Sequence, residues 1–479
     1  MTNAEIKKAV RSTPEWRSLR KSKFETQLID PVTERPLAKN ANLHHGDLNV
    51  AHYTNLSPER FMLLNHDTHE CVHFIYGNER VRKDWKRMMK NLEKIFKWMD
   101  RTKQMNKTIV LFYVRDTSGC SHARLRWLAN HLNANSEKYG NIQVIVSIAP
   151  IFDEGILAQT KAIVCQRFIS NQDVELIRRY KTLQPKFGYK LIWEIDDLCW
   201  THEGFSVPDY NPASLRINPA VSNMFRDNLQ ATLPLYDTIH VSTDYLKQCI
   251  EQDFNVWNVK VVRNVVPKYL WNCNKKEHIT SDLVKPKVLY SGSPTHYRTP
   301  VPINTDPNNP TGVVGLTGDW TQPWIDFIKE SVRNDKIEFT VMGCLPFFFE
   351  DIADKIQVYN WVDCNNFPGL VQRINADIQV APIVDNTFNK CKSALRFYES
   401  CAVGNVLIAN DFIDSPYNVI YKDCKVDTFA SKEDITNTVF NMCKKDIYNA
   451  ALDYQYNFIE HNHHYIEDDT YIQNYLASF

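Results

Sequence analysis

No stretch of this 479-residue sequence approaches the run of about eighteen apolar residues that a membrane-spanning helix requires. The first residues, MTNAEIKKAVRSTPEW, carry charges where a secretory signal peptide has an apolar run. CxxC pairs are also missing, although the chain contains twelve cysteines. Scattered cysteines argue against a disulfide framework or a zinc ribbon and favour reduced thiols. We therefore expect a cytoplasmic protein with no membrane partner.

Net charge is missing too, because 56 Lys and Arg balance 56 Asp and Glu. The distribution is uneven, however. Residues 1–107 contain 21 Lys and Arg against 13 Asp and Glu, a net charge of +8, and the remainder carries −8. Such asymmetry between segments is more informative than the total. It indicates either a solvated helix face, particularly over Val81–Lys97, or a surface that contacts an anionic partner.

The length exceeds what one hydrophobic core usually supports, so several domains are expected. Residues 1–104 are polar and rich in histidine, and they end in a predicted amphipathic helix over Glu79–Met99. We predict a first Rossmann-like domain over residues 105–275 and a second over residues 276–450. A helical tail is predicted over residues 451–479.

From Lys107 onward, short apolar runs alternate with helical patterns, which is typical of parallel, doubly wound sheets. The first set of predicted strands is Thr108–Val114, Ile142–Ile148, Ala162–Cys165, Lys190–Glu194, Thr238–Val241 and Val259–Val262. The second set is Lys287–Tyr290, Ile337–Val341, Ile378–Ala381 and Val406–Ile408. A long loop rich in Pro, Gly and Asn is predicted over Thr299–Gln322. The expected fold class is α/β, with two Rossmann-like domains facing a cleft and ligands at the carboxyl ends of the strands.

The strongest signal is ADIQVAPIVDNTFNKCKSALRFYESCAVGNVLIAND, residues 376–411, here called the donor segment. It predicts a strand, a polar loop, a helix over Ser393–Ala402, a glycine and a second strand. Ser393 is suited to cap the helix, and Gly404 stands where a C-cap glycine belongs. Exposed N–H groups at the helix start, with Lys392 beside them, form an anion site suited to a diphosphate.

The donor segment resembles the C-terminal domain of the retaining GT-B glycosyltransferase family, whose members commonly show APL.DN.FN.AKS..K..EY.A.G.PVIASD at this place. The resemblance implies that Lys392 contacts the donor phosphates and that Glu399 binds the nucleotide ribose. The family often has a second glutamate eight residues earlier, where this chain has Cys391. The implied donor is a UDP-linked sugar, and transfer in this family generally needs no metal.

The sequence YSGSPTHYR, Tyr290–Arg298, resembles the family's glycine-containing loop near the diphosphate. By this resemblance, Gly292 and Ser293 permit close backbone approach to the donor. Arg298 is then a catalytic candidate that offers charge to the leaving group. His296 also matches the family pattern, although an isolated histidine is more often structural.

In the first half, KLIWEIDDLCW, Lys190–Trp200, resembles the EIDD strand end of the same family. Asp196 and Asp197 are therefore candidates for the acceptor side of the cleft, and Asp197 is a candidate catalytic residue. Adjacent carboxylates of this kind are easily mistaken for the metal-binding DxD of a different glycosyltransferase fold. At a strand end they more often face a cleft or cap a loop.

The family's first glycine-rich loop corresponds to Gly119, Ser121, His122 and Arg124. The resemblance assigns Gly119 and Ser121 to the donor, and His122 and Arg124 to the acceptor. In such transfer, negative charge develops on the departing diphosphate, and Lys392 stabilises it in a closed cleft. Retention is attributed to same-face attack, in which the leaving phosphate takes the acceptor proton, so no carboxylate nucleophile is required.

Six histidines stand close together near the N-terminus: His44, His45, His52, His66, His69 and His73. The stretch of residues 30–77 resembles the HNH family, a small α+β module common in phage genomes. By this resemblance His45 is the general base, Asn55 orients it, and His44 with His69 or His73 holds a divalent cation. The zinc-knuckle cysteines of many HNH domains are absent. An active nuclease, a DNA-binding remnant and a purely structural domain all remain open.

An HNH-like module beside a glycosyltransferase is understandable if the acceptor is DNA. Tailed phages related to the T-even group attach sugars to hydroxymethylated cytosine in their genomes. The leading hypothesis is transfer of glucose or arabinose from a UDP-sugar to 5-hydroxymethylcytosine in double-stranded DNA, with the base flipped out of the stack. Trp193, Trp200 and Phe205 are candidates to stack on that base, although core packing accounts for each as well.

Three alternatives also fit the sequence. A glycosyltransferase of surface polysaccharide or lipid predicts an amphipathic patch that docks on a membrane. An HNH endonuclease with a non-catalytic GT-B domain predicts metal-dependent DNA cleavage that requires His45. A non-catalytic nucleotide-sugar binding protein predicts UDP binding without turnover.

Overall fold

The structure, a computed structural model, describes residues 3–33, 36–45, 54–75, 90, 108–115, 119–200, 219–271, 275–293, 296–297, 318–462 and 464–479. The chain divides into two compact units. The N-terminal unit comprises Met1–Thr108, Leu132–Gln143 and Asp363–Leu370, and the remainder forms the larger unit. Several predictions lie outside the described residues. These are Phe205, Arg298, most of the loop over Thr299–Gln322, and the helix over Glu79–Met99, of which only Lys90 is described.

The N-terminal unit begins with two helices and continues with a hairpin-like pair of strands and a third helix. These elements are α1 (Asn3–Arg11), α2 (Pro14–Thr26), β1 (Asn42–His45), the 3-10 helix Pro58–Arg60, β2 (Phe61–Leu64) and α3 (His66–Ile75). Thr13 caps α2 by accepting a hydrogen bond from the backbone of Trp16, and a proline follows at the first helical position. The strands are antiparallel, with His45 opposite Phe61. Trp16 and Leu63 belong to the small core beneath this sheet.

The larger unit contains two six-stranded sheets. The first has β3 (Thr108–Tyr113), β4 (Ile142–Ser147), β5 (Thr160–Gln166), β6 (Lys190–Ile195), β7 (Thr238–Val241) and β8 (Val259–Val261). Their order is β4-β3-β5-β6-β7-β8, and the neighbours from β3 to β8 are parallel. Because the order changes direction beside β3, the carboxyl ends of β3 and β5 form one expected ligand position.

A helical stretch follows β3, comprising Gly119–Ser121, the π-helix His122–Arg126 and α4 (Trp127–Ala134). The later helices of the first half are α5 (Glu154–Leu157), α6 (Asn171–Phe187), α7 (Pro219–Thr232), the 3-10 helix Leu233–Leu235, α8 (Asp244–Phe254) and α9 (Lys268–Trp271). Ser170 and Asp173 form a capping box at the start of α6. Trp193 and Trp200 are fully buried in the core of this half, so neither is exposed for stacking on a base.

The second sheet has β9 (Lys287–Gly292), β10 (Glu338–Gly343), β11 (Gln357–Tyr359), β12 (Ile378–Ala381), β13 (Val406–Asp411) and β14 (Lys425–Asp427). All neighbouring strands are parallel, in the order β11-β10-β9-β12-β13-β14. This order is that of dinucleotide-binding sheets and reverses between β9 and β12. The structure confirms the predicted α/β fold class with two Rossmann-like domains.

The helices of the second half include α10 (Gln322–Arg333), α11 (Phe367–Ile374), α12 (Thr387–Cys391), α13 (Leu395–Val403), α14 (Lys432–Met442), α15 (Lys445–His461) and α16 (Asp469–Leu476). Short 3-10 segments lie at Phe347–Lys355, Pro416–Val419 and Lys422–Cys424. Gly404 ends α13 in the left-handed conformation, with φ of +71°, which confirms the predicted C-cap glycine. Within the described part of the chain, no helix combines the length and apolar character needed to cross a membrane.

The last helix returns to the first sheet of the larger unit. The ring of Tyr475 on α16 lies 6.2 Å from that of Phe112 on β3 and 5.4 Å from that of His240 on β7. By contrast, Gln455 on α15 binds the second sheet, because its side-chain oxygen accepts a hydrogen bond from Leu407 at 2.9 Å. The predicted helical tail therefore ends against both sheets of this unit.

Candidate functional site

The carboxyl ends of β9 and β12 separate at the reversal point of the second sheet. The register between these strands ends at Leu289 and Gln379, whereas β9 stays paired with β10 as far as Gly292. The buried side chain of Gln379 bridges the opening by donating a hydrogen bond to Ser291 Oγ at 3.1 Å. A crevice at such a reversal is the usual ligand position of doubly wound sheets.

The start of the donor-segment helix differs from the prediction. The helix begins at Leu395, two residues later than the predicted Ser393–Ala402. Asn386 caps the short helix α12, and three residues, of which Lys392 is extended, separate α12 from α13. Ala394 occupies the N-cap of α13 without a side-chain hydrogen bond, so the predicted capping by Ser393 is wrong. The start of α13 therefore has no cap side chain, although the backbone N–H groups of Phe397 and Tyr398 donate to the oxygen of Ala394.

Lys392 lies directly after α12 and belongs to what we call the lysine cluster: His296, Asp319, Asn389 and Lys392. Its Nζ is 3.8 Å from Asp319 Oδ2 and 3.4 Å from His296 Nδ1. The Asp319 carboxylate also contacts His296 Nδ1 and accepts a hydrogen bond from Asn389 Nδ2, each at 2.8 Å. Burial opposes ionisation of Asp319, but Lys392, His296 and Asn389 outweigh it and lower its pKa. The cluster thus pairs a buried carboxylate with a lysine.

Arg396 and Glu399 form an ion pair on α13. Arg396 Nη1 donates to Glu399 Oε2 at 2.8 Å, and Glu399 is 8% exposed. Burial raises the pKa of Glu399, while Arg396 opposes this. The resemblance assigns Glu399 to the ribose, and one of its oxygens is already bound to Arg396. Burial, Lys392 and Arg396 lower the pKa of His296 against the opposing effect of Asp319, so the charge of Arg396 acts on the lysine cluster.

The carboxyl ends of β5 and β6 carry a second charged group on the first sheet. Arg167 Nη2 donates to Asp196 Oδ1 at 2.7 Å and Asp197 Oδ2 at 2.9 Å, and it lies 3.2 Å from Cys120 Sγ. Ligand atoms of Cys120, Asp196 and Asp197 lie within 4.8 Å of one another. The guanidinium already provides a positive charge for these carboxylates, unlike a DxD motif whose charge is balanced by a metal.

The two aspartates of this group differ in ionisation. Burial works against ionisation of Asp196, but Arg167 and Arg124 outweigh it and lower its pKa. Burial and the neighbouring Asp196 raise the pKa of Asp197, and Arg167 and Lys392 only partly oppose this. The side chain of Asp197 is 31% exposed, against 10% for Asp196. Asp197 is therefore the member of the pair that is accessible to an acceptor.

Contacts between the two sheets of the larger unit bring the donor segment against the first half. Thr243 Oγ1 donates to the backbone oxygen of Cys391 at 2.9 Å. The Sγ atoms of Cys249 and Cys391 are 3.8 Å apart and buried. Cys391 thus packs against the first half at the position where the resembling family often has a glutamate. Lys392 follows directly, and its charge lowers the pKa of Asp197 against the effects of burial and Asp196.

Arg124 is predicted to contact the acceptor, but in the structure its side chain forms interior hydrogen bonds. It is 4% exposed, and its Nε donates to the buried Glu194 at 2.5 Å. Its Nη1 donates to the oxygen of Val262 at 2.6 Å and to Asn264 Oδ1 at 2.7 Å. Asn264 Nδ2 in turn donates to Ser393 Oγ at 2.6 Å. Arg124 therefore supports the donor segment from the interior, because the π-helix directs its guanidinium inward.

The other residues predicted after β3 divide between interior and surface. Ser121 is fully buried and His122 is 7% exposed, so neither presents its side chain to a ligand in this structure. A Cβ built on Gly119 would meet no atom within 4 Å, so this glycine faces open space. Of these three, Gly119 alone keeps a position open to a donor at the reversal point of the first sheet.

Gly292 and Ser293 lie at the end of β9, as predicted. A Cβ on Gly292 would come within 2.4 Å of the Tyr290 hydroxyl, so the space beside it holds that ring rather than a diphosphate. Gly343, with φ of +122°, approaches the Gly292 oxygen closely. The oxygen of Ser293 accepts a hydrogen bond from His296 N at 3.0 Å, which begins the turn that holds His296.

In the N-terminal unit, His44, His69 and His73 converge. Candidate ligand atoms of all three lie within 4.8 Å of one another. His69 and His73 share a face of α3, because they are four residues apart, and His44 reaches them from β1. Burial, with the neighbouring imidazoles, lowers the pKa of His44 to about 4 and that of His69 to about 3. The prediction paired His44 with either His69 or His73, and the structure brings His44 close to both of them.

His45 points to the opposite face of β1, as strand alternation requires. Its ring lies 4.9 Å from that of Phe61, and the residue is 4% exposed. Asn55 does not take the predicted part of orienting His45. Asn55 is exposed, and its carboxamide oxygen accepts hydrogen bonds from Ser57 N and Oγ, at 3.2 Å and 2.7 Å. Such binding to a residue two positions on is how asparagine forms turns.

Sequence reasoning missed four polar residues of the larger unit: Arg167, Asp319, Asn389 and Arg396. Arg167 has φ of +51°, unusual for a residue other than glycine, and follows β5 directly. A charge immediately after an apolar run was the signal available for it. Asn389 stands in the DN.FN pattern of the donor segment, where its role was not recognised. Asp319 lies in a segment without periodicity, and its partners are distant in sequence.

No protein-family model matches the sequence, and no curated protein sequence matches it either. Among solved structures, the chain is similar to WaaG, a glycosyltransferase involved in lipopolysaccharide biosynthesis, at 11% identity and a TM-score of 0.47, covering 77% of this chain and 98% of WaaG. It is similar to Anabaena Alr3699/HepE, solved with UDP and glucose, at 10% identity and a TM-score of 0.43, covering 78% and 100%. For TarM the identity is 11%, the TM-score 0.41 and the coverage 67%, and the chain spans 55% of TarM's length. Each likeness is one of fold.

Proposed function

We propose that the chain is a glycosyltransferase that binds a UDP-linked sugar at the carboxyl edge of its second sheet. The acceptor we propose is 5-hydroxymethylcytosine in double-stranded DNA, and the sugar is glucose or arabinose. One observation carries the glycosyl-transfer part: Lys392 and the start of α13, which has no cap side chain, lie beside the reversal point of the second sheet, and the charge of Lys392 acts on Asp197. A lysine beside the N-terminus of a helix is a binding arrangement for phosphate.

The proposed chemistry needs a cation where the leaving diphosphate forms. Lys392 approaches that position already oriented by Asp319, so little reorganisation is required as charge develops. Asp197, on the acceptor side, accepts a hydrogen bond from the attacking hydroxyl and orients it. The leaving phosphate then takes the hydroxyl proton, as in retaining same-face transfer. Arg167 balances the charge of Asp196 and Asp197, so these carboxylates need no metal in this scheme.

The proposal of DNA as acceptor rests on the N-terminal part of the chain. Residues 1–107 carry a net charge of +8, and affinity for DNA comes largely from lysine and arginine at the phosphates. The strands β1 and β2 followed by α3, with the three converging histidines, fit an HNH-like module. We assign to this module the binding of DNA. A metal ion held by the three histidines would contact the phosphate backbone of the DNA.

The test of the proposed function is a transfer assay. We expect the protein, given UDP-glucose or UDP-arabinose and a duplex containing 5-hydroxymethylcytosine, to add one sugar to each modified base, detected by mass spectrometry of the digested nucleosides. A duplex with ordinary cytosine is the matched control, because it lacks the acceptor hydroxyl. Sugar release without any DNA product would favour a polysaccharide or lipid acceptor. UDP binding without any turnover would favour a non-catalytic binding protein.

A second candidate function is metal-dependent DNA cleavage by the N-terminal unit. The residues fit a divalent cation: three imidazoles converge, and among the described residues His44 Nδ1 is buried without a hydrogen-bond partner. Neutral imidazole nitrogens are common ligands of divalent transition metals. His44, His69 and His73 would hold the ion, which when bound polarises a phosphate oxygen. His45 is predicted to accept the proton of the attacking water, but it is buried against Phe61 on the opposite face of β1 from these ligands, so its role is tested separately.

This candidate predicts two separable results. Binding of Co²⁺, followed by its visible absorption spectrum, should fall at least about tenfold in His69→Ala, because one of three ligands is lost. His66→Ala, on the same helix but outside the converging set, is the control and should bind Co²⁺ normally. Cleavage of supercoiled plasmid that is lost in His45→Ala would establish a nuclease. Cation binding without cleavage would assign the site to DNA binding. If no cation binds, neither the nuclease nor the DNA-binding proposal can include a metal ion at this site.

A further inference from the structure

One group of the lysine cluster has no part in the scheme above. His296 follows β9 at the reversal point of the second sheet, and its side chain is 34% exposed. Its Nδ1 is bound to Asp319 Oδ2 at 2.8 Å, and Asp319 is 5% exposed. The ionised carboxylate accepts from this nitrogen, so the bond fixes Nδ1 as the protonated nitrogen of the ring. Nε2 is therefore the ring nitrogen left for a ligand.

The segment that carries Asp319 is built to reach His296. Asp319 N donates to the His296 backbone oxygen at 2.8 Å. Gly318 has φ of +68°, and a Cβ there would lie 2.3 Å from the same oxygen, so only glycine fits this approach. Asn389, within the donor segment, holds the second carboxylate oxygen at 2.8 Å. Two separate segments thus fix one aspartate, and the aspartate fixes the imidazole.

Lys392 lies beside the imidazole of His296. Lys392 Nζ lies 3.4 Å from His296 Nδ1, on the side of the ring that Asp319 also contacts. The charges that act on His296 are those of Asp319, Lys392 and Arg396. Burial and Lys392 lower its pKa against the opposing effect of Asp319, so the free ring is protonated less readily than an isolated histidine. A nearby dianion would favour the charged form of this ring, whereas a sugar hydroxyl would not.

We propose that His296 Nε2 contacts the β-phosphate of the nucleoside diphosphate, and that Asp319 is the positioning residue for both His296 and Lys392. The inference deepens the proposed function, because it rests on a nucleotide-sugar occupying this edge of the second sheet. In the complex, Nε2 takes a proton from solvent and donates a hydrogen bond to a phosphate oxygen. The two cationic groups then share the charge that the leaving diphosphate develops.

The test compares UDP, UMP and UDP-glucose binding by isothermal titration calorimetry in two matched variants. Asn resembles the Nδ1 side of histidine and can still donate to Asp319, whereas Gln places its amide nitrogen near the position of Nε2. We expect His296→Asn to weaken UDP binding about tenfold, the loss of one charge-assisted hydrogen bond, and to leave UMP binding unchanged. His296→Gln should keep part of the UDP affinity.

The control is His278→Asn, because His278 forms an exposed pair with Asp453 at 2.8 Å away from the lysine cluster. It should bind all three nucleotides as the parent protein does. An equal loss of UDP and UMP affinity in His296→Asn would overturn the proposal in favour of a structural role. A loss confined to UDP-glucose would overturn it in favour of a sugar contact. If the parent protein binds no nucleotide, the proposed function itself fails, and this result is distinct from both.

Discussion

Replacing Lys392 by methionine is expected to lower kcat/KM for sugar transfer by about 10²–10³-fold, the usual effect of removing one group that stabilises developing charge. The physical reason is the position of its Nζ, 3.8 Å from the buried carboxylate of Asp319 and beside the uncapped start of α13. Without the lysine, the buried Asp319 loses the cation that most lowers its pKa, and the departing diphosphate loses the cation beside it. The measurement is UDP release from the UDP-sugar, with and without the proposed DNA acceptor.

Two further variants make the result interpretable. Lys392→Arg keeps the charge but changes its shape, so an intermediate loss is expected if charge dominates. Lys186→Ala removes an exposed lysine paired with Glu154 at 2.7 Å and should leave the rate unchanged. Activity within twofold of the parent protein in Lys392→Met, with normal folding, would remove Lys392 from the catalytic group and with it the proposed donor site.

The strands of the larger unit could be read from the sequence because burial on both faces leaves a continuous apolar run. All ten predicted strands are present, with ends shifted by at most three residues. The two missed strands, β11 and β14, are three-residue edge strands with the sequences QVY and KVD. Their partly exposed side chains carry no apolar signal. Edge strands of this kind are defined by the neighbour they pair with, which local sequence does not describe.

The candidate site was predictable in part for a related reason. Lys392 and Gly404 stand in a contiguous pattern, and the structure places both within the polar loop and helix expected of them. Asp319 could not be found in this way, because its partners lie 23 to 73 positions distant: His296, Asn389 and Lys392. Only the folded chain brings such residues together.

Arg124 shows the opposite error, because the resemblance assigned it to the acceptor and its side chain lies in the interior. The resemblance to a glycine-rich loop carried no information on the direction of this side chain. In the structure a π-helix over His122–Arg126 turns the guanidinium toward Glu194, and both side chains are at most 2% exposed. A buried ion pair gives no pattern in a single sequence, because each residue type is commoner at the surface.

The burial of this pair predicts the largest effect on stability. Replacing Arg124 by methionine should lower the free energy of unfolding by about 3–5 kcal/mol, because Glu194 is left buried without its cation. The change also removes the hydrogen bond to Asn264, which holds Ser393 in the donor segment. Urea unfolding followed by tryptophan fluorescence will report it, since Trp193 is fully buried on the same sheet. Arg178→Met, which breaks an exposed pair with Glu175, should cost less than about 1 kcal/mol.

The pH dependence of this loss separates the ion pair from simple packing. Burial already raises the pKa of Glu194 against the opposing effect of Arg124, so without that arginine the pKa rises further. A carboxyl group with a raised folded pKa is tolerated below its unfolded pKa, about 4.3, and becomes destabilising as the pH rises toward the folded value. The deficit of Arg124→Met should therefore be smallest in acid and grow with pH.

The double variant Arg124→Met, Glu194→Leu removes both charges. It should recover most of the lost stability and lose this pH dependence, because two apolar side chains of similar volume replace a pair whose desolvation opposes its attraction. A deficit in Arg124→Met that is constant with pH and unchanged in the double variant would assign the loss to packing. The packing of the methylene groups of Arg124, rather than its charge, would then be what stabilises the interior beneath the donor segment.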